Sequence, residues 1–347
     1  MLTSLKIQNF RAFRSLEISD LGAVNLIVGK NNSGKTSLLE AIYLISRGGN
    51  ASAAFSLQTL RFPTANSAEH AGQAFEIYIK HLFHKQKIEI PIQIEAAFLD
   101  CEVLRLTLKI ASKPDISIPL SANYVQNLAV KAKLRRVNAE IESASRAWIE
   151  GAKILMDPPG ADEPLFHALF HRSQGDSAES SYAQLMGELR RKKKDAAVLS
   201  SLKIIEPDLN EIADISFAGS SVLFCDIGLP EMVPLSLLGD GVSRTLRLIL
   251  KLVAAEGGVA LIDEVESGIH YSIQSDVWAA IDKAAQESNT QVFAATHSLE
   301  CVRAAHKAIN ADRLRLHRLQ KKDGEIHCVT YSPEEIQSVF DFNFEVR

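Results

Sequence analysis

The chain has 347 residues, 46% of them hydrophobic and 23% charged, with a formal net charge of −4. That balance suits one large α/β domain with an insertion, offers no global electrostatic attraction for nucleic acid, and includes no apolar run near the roughly eighteen residues that a membrane-spanning helix needs. The N-terminus, Met1-Leu2-Thr3-Ser4-Leu5-Lys6, enters a strand pattern rather than a signal peptide, so a cytoplasmic protein is expected; the scattered Cys101, Cys225, Cys301 and Cys328 read as buried free thiols.

Residues 2–28 read as strands. Leu5-Lys6-Ile7-Gln8-Asn9-Phe10 alternates, Phe13-Arg14-Ser15-Leu16-Glu17-Ile18 follows, and Val24-Asn25-Leu26-Ile27-Val28 is a short apolar run. Between the first two, Arg11 is near enough in sequence to fold back onto a phosphate, and Phe10 or Phe13 could pack on a base; the alternative is a surface arginine and two core phenylalanines.

The run from Val24 delivers the chain to Gly29-Lys30-Asn31-Asn32-Ser33-Gly34-Lys35-Thr36, which fits G-x-x-x-x-G-K-[ST] and is followed by the helical spacing of Ser37-Leu38-Leu39-Glu40-Ala41-Ile42-Tyr43-Leu44-Ile45. A strand, a glycine turn and a helix N-terminus in this order cradle a polyphosphate with backbone N–H groups and the positive end of the helix dipole. Lys35 would reach the β and γ phosphates, and Thr36 would place its hydroxyl on Mg²⁺. Asn31, Asn32, Ser33, Gly34, Lys35, Thr36 and Ser37 are thus the candidate binding residues for ATP.

Residues 48–72 lose any sustained period and read as a mobile loop or short helices. Residues 75–83, 87–99 and 104–110 look like strands of an antiparallel sheet beside the nucleotide core. Residues 121–202 change character towards helical spacing, broken at Asp157-Pro158-Pro159-Gly160 and by a serine-rich stretch at 173–181, and are read as an inserted helical arm. It carries two basic clusters, Lys131-Ala132-Lys133-Leu134-Arg135-Arg136 and Arg190-Arg191-Lys192-Lys193-Lys194. These are either nucleic-acid contacts or solvated faces balanced by nearby acids such as Glu140, Glu142 and Glu188.

Strand pattern returns at 212–217 and 221–226. Leu237-Leu238-Gly239-Asp240-Gly241-Val242-Ser243-Arg244-Thr245-Leu246 then opens an amphipathic helix that runs to Ala255, and its N-terminus is a second anion site. One domain needs only one such end for one nucleotide, so Gly239, Asp240 and Gly241 are expected to serve the nucleotide of a second copy. Val259-Ala260-Leu261-Ile262-Asp263-Glu264 is an apolar strand ending in two acids at the sheet edge where ligands bind in open α/β folds. Asp263 suits the Mg²⁺ site, and Glu264 suits the group that polarises the attacking water. After a helix at 272–287 comes the strand Thr290-Gln291-Val292-Phe293-Ala294-Ala295-Thr296-His297-Ser298, whose histidine could bond a γ phosphate.

The order of these motifs resembles the ATP-binding-cassette class of ATPases, and within it the soluble branch of SMC, RecF and OLD (overcoming-lysogenization-defect) proteins. Asn9-Phe10-Arg11-Ala12-Phe13, the run 24–42, Asp263-Glu264-Val265-Glu266-Ser267-Gly268-Ile269-His270 and Thr296-His297-Ser298 are similar to the OLD-like group. The resemblance covers the two ends of the chain, about half its length. It implies an α/β P-loop NTPase fold with an antiparallel β subdomain and an inserted arm, divided as 1–120, 121–205 and 206–347. It also implies that Lys35 and Thr36 bind phosphate and metal, that Asp263 and Glu264 are the metal and water-activating acids, that His297 is the switch histidine, and that Arg11 lies near the phosphates. Gly239 stands where the family often has serine in the signature loop, and the glutamine-loop residue has only Gln93 and Gln126 as candidates.

The sequence contains no D-x-D pair of a Toprim nuclease, no long heptad array and no zinc-hook C-x-x-C. The expectation is an ATPase (ATP and water to ADP and phosphate) that forms a homodimer on ATP and controls a separate effector, a nuclease or toxin in phage defence, without a membrane partner. The alternatives are a RecF-like DNA-repair clamp and a non-hydrolysing scaffold; the Asp263-Glu264 pair argues against the scaffold.

Overall fold

The computed structural model describes residues 1–61, 77–112, 128–137, 141–150, 153–158, 164–171, 179–217, 219–332 and 335–336. The elements begin with strands β1 (Leu2–Phe10), β2 (Phe13–Ile18) and β3 (Val24–Val28), then helices α1 (Lys35–Ser46) and α2 (Ala53–Arg61). Next come β4 (Ile92–Phe98), β5 (Val103–Ser112), β6 (Leu128–Arg136), β7 (Ile141–Glu150), β8 (Lys153–Asp157) and β9 (Ala168–His171), followed by α3 (Glu179–Arg191) and α4 (Asp195–Leu202). The rest comprises β10 (Glu211–Phe217), β11 (Ser220–Asp226), β12 (Val233–Pro234), α5 (Asp240–Ala254), β13 (Val259–Ile262), α6 (Gln274–Glu287), β14 (Gln291–Ala295), α7 (Leu299–Ala308), β15 (Leu314–Lys322) and β16 (Glu325–Tyr331).

Among the described residues the central sheet is six-stranded, in the order β16-β15-β3-β14-β13-β9. Strands β15, β3, β14, β13 and β9 are parallel, and β16 returns antiparallel along one edge. Every residue of β3, β13 and β14 is buried, as expected for parallel strands covered on both faces. Val24, Leu26 and Val28 pack with α3, α5, α6 and α7, whereas Ile27, Leu261 and Phe293 face α1 and a second sheet.

That second sheet is antiparallel, in the order β2-β1-β4-β5-β6-β7-β8. Its inner face, with Ile7, Ile94, Leu106 and Leu134, closes over α1. The helix is therefore buried nearly all round: Leu38, Leu39, Ile42 and Ile45 are each 1% exposed or less, and each contributes about 1.5–3 kcal/mol through burial. Strands β10 and β11 form a hairpin with β12 alongside.

The helical reading of residues 121–202 is corrected over its first half. Strands β6, β7 and β8 extend the antiparallel sheet, and β9 joins the central sheet beside β13; among the described residues of this stretch only α3 and α4 are helical. Along β6, Val130, Ala132 and Leu134 point inward while Lys131, Lys133 and Arg135 alternate with them, a period of two hidden under a run of basic letters. On β7 the inward side carries small polar residues because the chain after α1 bonds to them. The Ser145 hydroxyl donates to the Gly49 carbonyl at 2.6 Å and accepts from the Ala51 N–H at 2.8 Å. Strand periodicity read from apolar letters alone could not find it.

The strand expected at 75–83 is likewise replaced. Residues 77–80 form a helical turn, and Ile79, Leu82 and Phe83 are buried at helical spacing; 75 and 76 lie outside the described residues, as do 62–72 of the expected loop. Strand β4 falls within the run 87–99 read as a strand, β5 contains the run 104–110 and extends it at both ends, and residues 53–61 are helical.

Candidate active site

The C-terminal ends of β3, β14 and β13 are neighbours in one parallel sheet, so the loops that follow them converge. Together they line a cavity of about 450 Å³ built from Ala12, Asn31, Asn32, Gly34, Lys35, Thr36, Ser37, Asp263, Glu264, Ala295, Thr296 and His297. The sheet thus brings together the three motif blocks, 227 residues apart in sequence between Thr36 and Asp263.

The phosphate loop requires its glycines. Gly29 has φ +148° and a Cβ there would stand 2.4 Å from the Leu319 carbonyl oxygen; Gly34 has φ +93° and its Cβ would meet the Phe13 ring at 2.7 Å. Phe13 and Phe10 are therefore core residues, the first packed against the loop from behind, while Ala12 reaches the cavity. Ser33 is buried behind the loop, its N–H donating to the Lys30 carbonyl at 3.1 Å.

Lys35 folds over the loop, its ammonium donating to the Gly29 carbonyl at 2.7 Å and to the Lys30 carbonyl at 3.1 Å. Burial lowers its pKa from the usual lysine value, and the carboxylates of Asp263, Glu266 and Glu264 oppose that shift. The Thr36 hydroxyl donates to Asp263 Oδ2 at 2.9 Å. Two hard oxygen donors at this separation fit Mg²⁺, which takes one or two protein oxygens and fills its remaining positions with water and substrate phosphate. Bound there, the metal would neutralise charge on the β and γ phosphates.

Glu264 is exposed on the cavity wall with φ +52°, a left-handed conformation that costs a non-glycine residue about 1–3 kcal/mol and recurs at functional sites. His297 also faces the cavity, its side chain 57% exposed. Glu266, to which the sequence reading gave no role, stands behind it. Glu266 Oε1 accepts from the His297 backbone N–H at 3.0 Å and lies 3.1 Å from Nδ1. A third acid two positions after a strand-terminal Asp-Glu pair was the available signal.

Arg11 is elsewhere. Its guanidinium pairs with Glu40 of α1 at 2.6 Å, with side chains 13% and 0% exposed, and it is outside the cavity lining, next in sequence to Ala12, which lines it. Gln93 lies on β4 opposite Gln8 and Thr107, away from the cavity, and Gln126 lies outside the described residues.

Gly239, Asp240 and Gly241 form the N-terminus of α5 and contribute nothing to the lining of the cavity. The end is exposed: Gly239 has φ +88° with open space at its Cβ position, and Leu237 and Tyr271 nearby in sequence to the two loops are 73% and 71% exposed. Arg244 of α5 ties this helix to the turn after the acids, its guanidinium packed on Gly268 and donating to the Ser267 carbonyl.

Two residues of the second basic cluster are paired within the fold. Arg190 at the end of α3 pairs with Asp195 at 3.5 Å and Glu211 at 3.3 Å and donates to the Ile212 carbonyl at 2.5 Å, and Lys194 pairs with Glu256. Arg191, Lys192 and Lys193 remain exposed. Of the cysteines, Cys225 and Cys301 are buried with thiol pKa values pushed up by burial to about 11 and about 12, while Cys101 is exposed.

Comparison with known proteins agrees with this geometry. The family described as "AAA domain, putative AbiEii toxin, Type IV TA system" matches residues 98–303, and the family described as "AAA ATPase domain" matches residues 1–151. A Helicobacter pylori protein named ATP/GTP phosphatase is 23% identical over 98% of both chains. The DNA replication and repair protein RecF of Clostridioides difficile is 38% identical over 23% of this chain and 21% of its own length. Two SMC heads share the fold at a TM-score of 0.50. One, bound to the C-winged helix domain of ScpA, is 14% identical over 97% of this chain and 99% of that one; the other, an SMC head domain with an extended coiled coil bound to the C-terminal domain of ScpA derived from Pyrococcus furiosus, is 12% identical over 99% of both. The chain belongs to the AAA-domain family described as putative AbiEii toxin, Type IV TA system, and it is an ATPase that shares the fold of SMC heads.

Proposed function

We propose that the chain is an ATP-driven switch: ATP and Mg²⁺ bind at Lys35, Thr36 and Asp263, two copies close on two nucleotides, and Glu264-assisted hydrolysis lets them part. The observation that carries this reading is the exposed N-terminus of α5, an anion-directed helix end at Gly239, Asp240 and Gly241 that does not line its own chain's cavity. Gly239 offers a backbone N–H where the family often has a serine hydroxyl. In this reading each conformational cycle gates a separate effector, a nuclease or toxin of phage defence, and the protein works in the cytoplasm; among the described residues no helix is long and apolar enough to cross a membrane.

Subunit mixing tests the composite site. Lys35→Ala lacks a working phosphate loop and Gly241→Glu blocks the α5 end, so each chain alone is expected to be inactive. Mixed in equal amounts, half the dimers are hybrids with one intact site, and roughly a quarter of wild-type hydrolysis returns. A mixture that stays inactive excludes shared sites.

A second reading, a DNA-binding clamp, is favoured by one observation on the outer face of the antiparallel sheet. Cross-strand register puts Lys109 opposite Lys131 and Lys131 opposite Arg146, three like charges in one row that ends on Asp157 opposite Arg146, so one carboxylate faces three cations and an added anion would be favoured. Replacing these three by glutamine is expected to cut duplex DNA affinity more than replacing Arg191, Lys192 and Lys193, and to lower the dependence of log K on log salt by about three. Unchanged affinity and slope eliminate this face as the contact.

A further inference from the structure

The turn after β13 and the turn after β14 are joined by one side chain. Glu266 has a carboxylate side chain only 10% exposed, and its Oε1 holds both the backbone N–H of His297, at 3.0 Å, and the Nδ1 edge of the imidazole, at 3.1 Å. A carboxylate can only accept, so at this separation the oxygen favours the tautomer with its proton on Nδ1, which leaves Nε2 as the accepting edge of the ring. Its other oxygen, Oε2, is buried without a hydrogen-bond partner among the described residues. Burying an acid in that way has a cost that a merely decorative surface contact would not justify.

The surroundings explain what the contact can do. Without it His297 would be a largely exposed side chain on a turn, free to sample several rotamers. The same turn is otherwise fixed on its far side, where the Ser298 N–H bonds the Thr296 hydroxyl at 3.0 Å and the Ser298 hydroxyl accepts from Cys301 N–H at 3.2 Å as the cap of α7. The two turns also share a backbone bond, from Val265 N–H to the Ala295 carbonyl at 3.2 Å. Glu266 adds the contact that sets the ring itself.

We propose that Glu266 is a positioning residue for hydrolysis: it fixes the Nδ1–H tautomer of His297 and aims Nε2 into the cavity beside Glu264, so that the ring meets the terminal phosphate and the attacking water in one orientation. This rests on the reading of His297 as the phosphate-facing switch residue. Removing Glu266 would leave substrate binding by Lys35, Thr36 and Asp263 in place and would lose orientation at the reacting end.

Long-range ¹H–¹⁵N correlation on histidine-labelled wild-type protein is the first measurement. The His297 ring, assigned by its loss in His297→Ala, should show the Nδ1–H tautomer, and finding the Nε2–H tautomer overturns the proposal without any change at Glu266. In Glu266→Ala the ring should revert to Nε2–H, with kcat for ATP hydrolysis roughly ten- to a hundredfold lower and KM within about twofold. Glu266→Gln keeps an accepting oxygen and is expected to retain the tautomer and recover kcat to within about threefold of wild type. The double variant Glu266→Ala with His297→Ala should be no slower than His297→Ala alone, because the acid acts only through the ring. Multiplying losses in the double variant, or wild-type kcat in Glu266→Ala, overturns the proposal. If His297→Ala alone hydrolyses ATP like wild type, the reading of the histidine fails, and the tautomer data still decide what Glu266 does.

Discussion

Glu264→Gln is expected to lower kcat for ATP hydrolysis by roughly a hundred- to a thousandfold while changing KM by less than about threefold. The amide keeps the size of the carboxylate, so the left-handed turn at residue 264 and the cavity wall it forms should persist. What it loses is the ability to accept a proton from water as the nucleophile forms. The binding groups are separate: Lys35 on the loop carbonyls and Thr36 on Asp263 make no use of the 264 side chain. Slow turnover with intact binding should accumulate the ATP-bound form, and sedimentation of the variant with ATP and Mg²⁺ should then show a dimer that wild type holds only transiently. Wild-type turnover in the variant would remove Glu264 from the chemistry.

Arg11→Ala is expected to destabilise the fold by about 3–5 kcal/mol, read by denaturant unfolding with the buried Trp278 as reporter. Glu40 is fully buried on the helix that leads away from the phosphate loop, and Arg11 is the guanidinium that faces it at 2.6 Å. Removing the cation leaves an acid in a site sealed by two sheets. Replacing both, Arg11→Met with Glu40→Leu, should restore most of the loss, since an apolar pair of similar volume often equals or exceeds a buried ion pair. KM for ATP should barely move in either variant. A variant with unchanged stability and a much raised KM would return Arg11 to the phosphates, where the family resemblance puts it.

The nucleotide site was legible in the sequence because its chemistry is local. A phosphate loop needs glycine at 29 and 34 for reasons of φ and backbone approach, and those letters survive in any context. Asp263, Glu264 and His297 were legible because each follows a buried apolar strand, and a strand end is a position that period and composition can locate. The pairing of Arg11 with Glu40 was not legible, because the burial of that acid depends on a sheet closing over α1, and nothing in the helix's own sequence marks it. The first half of the supposed helical arm was misread for a related reason. Ser145 faces inward to bond Gly49 and Ala51, so a tertiary contact erased the apolar alternation that would have marked β7. Glu266 shows the converse, a residue visible in a motif whose role depends on a neighbour 31 positions away.

The order of strands in the central sheet has a consequence for how the protein comes into being. β3, which carries the phosphate loop, has as its two neighbours β14 at Gln291–Ala295 and β15 at Leu314–Lys322. A chain emerging from the ribosome therefore makes its phosphate-binding motif long before β14 and β15, and cannot dock it into the central sheet until those strands have been made. The antiparallel sheet waits less: β1 pairs with β2 and β4 with β5 by local returns, and β1 meets β4 once residue 98 has been made. Translation products that stop short of β14 thus carry the phosphate-binding letters with neither neighbouring strand beside β3, and the capacity to consume ATP waits for β14 and β15.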